Sequence, residues 1–144
     1  MENGSNPVAD ARLRGASKVE AWRLRWQNAE EELALSKVEY ESASDFASAD
    51  ERMKKAQDEL SLARSTYERS AKIYDAAVEE FDNKMSAASA VLENTPAIVA
   101  ALEGSLGAHG EQGMRNRLEQ LYLGYKATIA KAQEDFISAV ESIP

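Results

Sequence analysis

The stretch DELSLARSTYERSAKIYDAAVEEF, residues 58–81, decides the fold. Leu60, Tyr67, Tyr74 and Phe81 recur at every seventh residue, and Ala63, Ser70 and Ala77 recur at the same interval between them. Large side chains at one position of a seven-residue repeat and small ones three residues on form a seam along one face of a helix. The seam extends outward. Upstream in the same register lie Phe46 and Met53 with Ala49 and Ala56; downstream lie Ala88, Lys84 and Val91. A second series, Val19, Trp26, Leu33 and Tyr40 beside Trp22, Ala29, Ser36 and Ala43, repeats the pattern nearer the start. A third, Tyr122, Ile129, Phe136 and Ile143 beside Leu118, Tyr125, Ala132 and Ala139, repeats it nearer the end.

Composition agrees with thin, close helix packing. The chain has 144 residues with 25 alanines, against five isoleucines, four methionines, three phenylalanines and two tryptophans. Small side chains let helix backbones approach, and a strict seven-residue spacing implies a left-handed supercoil. The expected fold is therefore all-α: an elongated antiparallel helical bundle or coiled coil with two or three long helices and one short helix.

Punctuation sets the expected boundaries. Residues 1–15 hold Gly4, Pro7 and two asparagines and are expected to be a flexible lead-in to a single elongated α-helical domain over 16–144. Ser17 and Glu20 have the spacing of a capping box, which starts a helix. No Gly or Pro occurs from Ala16 to Thr95. The two seam registers nevertheless disagree, because Tyr40 and Phe46 are six residues apart. The slip falls in ESASDFASADE, residues 41–51, where Ser48 and Glu51 form another capping box. It reads either as a turn near residues 44–49 or as a register defect in one continuous helix. With the turn, the helices are 17–44 and 48–94. Thr95-Pro96 then stops and restarts the chain, giving a short helix 96–103, a glycine-rich loop GSLGAHGEQG at 104–113 and a last helix 111–142. Acid-before-base pairs four residues apart (Glu51–Lys55, Glu68–Lys72, Glu80–Lys84) favour exposed helix, each by about 0.2–0.5 kcal/mol.

Chemistry finds little purchase. There is no cysteine, which excludes thiolate metal sites, thiol nucleophiles and disulfides. The only histidine, His109, lies in the glycine-rich loop and reads as a solvated loop residue. That loop lacks the Gly-Lys-Ser/Thr ending of a phosphate-binding loop. No catalytic, cofactor-binding or metal residues are expected, no cofactor is called for, and the chain does not read as an enzyme.

With 25 acids and 17 bases the net charge is −8, which opposes direct binding to nucleic acid. One segment departs from this. RLRGASKVEAWRLRWQN, residues 12–28, has five bases and one acid. Its Arg12, Arg14, Lys18, Trp22, Arg23, Arg25 and Trp26 form a candidate docking patch, although the two tryptophans also fall on the seam. The apolar run AIVAAL, residues 97–102, reads as the end of a bundle, with membrane insertion as the alternative. The start, MENGSNPVADARLRG, lacks the apolar core of a secretory signal, and no run reaches a membrane span of roughly 18 residues. The expected location is cytoplasmic or within an assembled particle.

The leading functional expectation is a non-enzymatic structural subunit that self-associates, or binds another helical protein, within a larger assembly such as a virion, secretion machine or scaffold. Met53, Leu60, Tyr67, Tyr74, Phe81, Ile129 and Phe136 would form its interaction seam. Two alternatives remain open: an acidic helical adaptor or inhibitor acting on a basic or nucleic-acid-binding partner, and a peripheral membrane module.

Overall fold

The computed structural model describes residues 6–105 and 110–144. They form three helices, α1 (Pro7–Ser42), α2 (Phe46–Ser105) and α3 (Gly110–Glu141), and no strand occurs among the described residues. The all-α expectation holds.

Helix α1 starts ten residues before the Ser17 capping box. Asn6 is its N-cap: the side-chain oxygen accepts from the N–H groups of Val8 (3.0 Å) and Ala9 (3.3 Å). Pro7 occupies the first helical position, where its missing N–H is no loss, and Asp10 places an acid in the first turn. The Asn-Pro pair that resembles a loop is thus a helix start, and residues 7–15 are helical rather than a lead-in.

The register slip is a turn. Helix α1 ends at Ser42, and Ala43 leaves in an extended conformation with φ −72° and ψ 139°. Asp45, not Ser48, caps α2: its carboxylate accepts from the Ser48 N–H (3.3 Å) and Ser48 Oγ (2.9 Å). These bonds, that from the Ser48 hydroxyl foremost, hold the Asp45 carboxyl below its usual pKa. The Tyr40 and Phe46 rings meet edge to face at 5.9 Å across the reversal.

Pro96 does not end a helix; α2 runs through it to Ser105, so no separate short helix 96–103 exists. A proline removes one helix hydrogen bond, freeing the carbonyl four residues earlier. Here that carbonyl belongs to Leu92, and both Leu92 and Pro96 are exposed residues, the setting in which a freed carbonyl costs least. The flanks of the expected glycine-rich loop are also helical, at Gly104–Ser105 and Gly110–Gly113; its centre and His109 lie outside the described residues.

The chain divides into two compact units, Met1–Ala76 with Ala139–Pro144, and Ala77–Ser138. In the first, α1 and α2 pair in opposite directions, as the contacts of Gly15 with Tyr74, Trp26 with Tyr67, and Glu39 with Arg52 require. Ala29, Ala49, Ala56, Ala63 and Ser70 are buried, while Leu33, Met53, Leu60, Tyr67 and Tyr74 are half-buried. The small positions of the seam are thus where the helix backbones come close.

Near the start of α1 a third segment joins them. Val8, Ala11, Val140 and Ile143 are buried together with Gly15. A Cβ on Gly15 would lie 2.6 Å from the Tyr74 ring and 3.4 Å from Val140, so only glycine permits this approach. Tyr74 Oη donates to the Arg12 carbonyl at 3.3 Å.

In the second unit, Ala77, Ala88, Ala132 and Phe136 are buried, and Phe136 packs on Phe81 with ring centroids 5.4 Å apart. Lys84, an odd residue for a small seam position, bridges α2 and α3. Its Nζ lies 3.1 Å from both Asp135 and Glu80. Hydrogen bonds from Lys84 and then Lys131 lower the Asp135 pKa, and those to Asp135 and Glu80 raise that of Lys84.

Candidate functional site

The basic, tryptophan-containing segment lies within α1, and its residues have different tasks. Lys18 is half-buried, and its ammonium donates to the carbonyls of Val140 (3.1 Å) and Ile143 (3.2 Å). Helix α3 has no base in its own last turn, so Lys18 supplies the cation that its C-terminal carbonyls favour. Arg23 donates through Nε to both oxygens of Glu20, at 3.0 and 2.8 Å. That pairing raises the Arg23 pKa and lowers that of Glu20, with the hydrogen bond as first cause in each. Trp26 is half-buried, 5.4 Å from the Tyr67 ring, with the Arg64 guanidinium 5.9 Å from its own ring. Its indole Nε1 is buried without a hydrogen-bond partner. Arg12 is half-buried beside Tyr74. Arg14 and Arg25 are exposed, Arg25 lying over Trp22 at 4.7 Å. The candidate docking patch is therefore one helix segment whose residues differ: Lys18 and Trp26 contact other segments, Arg23 pairs with Glu20 on its own helix, and Arg14 and Arg25 are exposed.

The seam residues divide between the units. Met53, Leu60, Tyr67 and Tyr74 belong to the first; Phe81, Ile129 and Phe136 belong to the second. Only Phe136 among them is fully buried, at 2% exposure; the other six are half-buried.

A groove missed by the seam reading runs along the α1–α2 pair, with two hollows. One is lined by Trp22, Arg25, Ala29, Glu32, Glu59 and Leu62, with Asn28 and Ala63. The other is lined by Glu32, Leu35, Ser36, Arg52, Lys55 and Ala56, with Glu39 and Glu59. Leu35 (65% exposed) and Leu62 (63%) stand open to solvent at its edges. The sequence carries a signal for this groove. AEEELALSKVEYE, residues 29–41, aligns without a gap on AQDELSLARSTYE, residues 56–68, with six of thirteen positions identical. The shift of 27 residues carries Arg25, Ala29, Glu32, Leu35 and Ser36 onto Arg52, Ala56, Glu59, Leu62 and Ala63. It exchanges the two hollows, as a local two-fold axis between Glu32 and Glu59 would.

Among the described residues there is no cluster of three or more side chains suited to hold a metal ion. No helix searched there is long and apolar enough to cross a membrane. No protein-family model matches the chain, and neither a curated protein nor a solved structure matches it.

Proposed function

We propose that this chain is a non-enzymatic structural protein, a helical subunit that associates with further copies of itself inside a larger assembly. The observation that carries the reading is the incomplete cover of the α1–α2 seam. Its small residues are buried, its large residues Leu33, Met53 and Leu60 are only half-buried, and Leu35, Val38 and Leu62 beside it are more than 60% exposed. Apolar surface left in water forgoes about 25 cal/mol per Å² that a second surface would recover. Elongated, supercoiled packing of the long helices belongs to the same proposal, because the seven-residue spacing favours it. A cytoplasmic or in-particle location suits such a subunit.

Substituting Leu60→Asp or Phe81→Asp is expected to break the association, read as a fall in solution mass with circular dichroism as the folding control. Full mass with native helicity in both variants would contradict the seam's role.

The acidic-adaptor reading draws on Glu32 and Glu59, two groove carboxylates without an ion-pair partner among the described residues. It predicts binding to a basic partner that falls steeply with salt. The membrane reading loses ground as Lys18 is engaged within the fold; sedimentation with anionic vesicles tests it.

A further inference from the structure

We infer that the hollow beside Leu62 is the face on which a second copy of this chain docks, the two copies being related by a two-fold axis through Leu62 and Ala29. The inference rests on the self-association proposed above and names its surface. Along the groove, the hollow has Glu32 and Glu59 on one side of the Leu62–Ala29 level, and Arg25 with Trp22 on the other. A two-fold through that level turns one side into the other. Glu32 of each copy then meets Arg25 of its mate, and Leu62, lying on the axis, meets its own counterpart. The hollow is its own complement in charge about an apolar centre, which a two-fold interface demands of a single surface. A uniformly basic foreign helix would bring its charge against Arg25, so the mixed signs favour a second copy.

The repeat-related hollow sharpens the choice. It holds the same leucine, alanine and glutamates, but its arginine, Arg52, already faces Glu39 at 3.5 Å. The counterpart of Glu39 under the repeat is Thr66, buried and uncharged, and the counterpart of Ala49 is Trp22. Only the Leu62 hollow therefore presents an arginine unquenched by that acid, with an aromatic ring beside it, as a surface built to be covered does.

The test measures mass by light scattering with the full chain across a concentration series, with circular dichroism throughout. Leu62→Asp is expected to raise the dissociation constant about thirtyfold or more, and Arg25→Glu about tenfold. Leu13→Asp, at another exposed leucine outside the hollow, should change nothing. The decisive arm mixes the Arg25→Glu variant with a Glu32→Arg variant. Each alone sets like charges against each other, and together they restore complementary pairs and the wild-type mass. If the wild type associates but these variants keep its mass, the Leu62 face is overturned while self-association stands. If the wild type is a monomer at every concentration, both fall.

Discussion

Two stretches of the first unit are made from the same two helices and are stabilised differently. Where the first three turns of α1 meet Tyr74 and residues 139–144, Val8, Val140 and Ile143 are fully buried, and Gly15 lets backbone and ring touch. Between Trp22 and Tyr67 the same pair buries only Ala29, Ala49, Ala56, Ala63 and Thr66, and every larger seam residue there stays partly in water. A buried alanine methyl contributes about 0.8 kcal/mol, a buried valine or isoleucine about 1.5–3 kcal/mol. The difference teaches that helix pairing alone makes a thin core. The end closed by a third segment is complete within the chain; the open stretch leaves its larger side chains partly in water.

The strongest way to break the contrast is Gly15→Leu. The new side chain must displace Tyr74 and its bond to Arg12, at about 3 kcal/mol, read as a lower urea midpoint. A midpoint equal to wild type would show that the closed end is looser than its contacts imply. Lys18→Met should cost about 0.5–1 kcal/mol by stripping the cation from the Val140 and Ile143 carbonyls. Its effect should appear first as faster amide exchange in the last turn of α3. At the open stretch, Leu35→Ala should lie within about 0.5 kcal/mol of wild type at concentrations too low for association, because the side chain is exposed.

The turn end offers a pH test. The Asp45 carboxyl titrates below its ordinary value because Ser48 bonds to its charged form. Its contribution is therefore present above the ordinary carboxylate range and is lost as pH falls through the lowered value. Wild type and Asp45→Asn should differ in thermal midpoint at neutral pH and converge in acid. A gap that persists in acid would assign the cap's effect to something other than this charge.

Much of this was legible in the sequence at the level of spacing. The seven-residue repeat located the small seam positions, and Ala49 through Ala77 are buried as close packing requires. The six-residue step from Tyr40 to Phe46 marked the reversal, though spacing alone left a continuous helix open. Local chemistry misled where one residue type has two uses. Asn6-Pro7 reads as loop but caps a helix, and Pro96 reads as a stop but sits within α2 on an exposed stretch. Val140, fully buried, lies outside the seam series, because only the tertiary approach of residues 139–144 to α1 covers it. The groove escaped because Glu32, Leu35, Glu59 and Leu62 flank the seam and resemble solvated helix surface. The 27-residue repeat was the signal that sets them apart.

The central claim is that the open α1–α2 stretch is covered by another copy of the chain. Absolute mass in solution, measured by light scattering during size exclusion over a range of concentrations, tests it most directly. The account predicts a stable mass at a multiple of 15.8 kDa. A mass of 15.8 kDa at every concentration, with helicity intact, would contradict it.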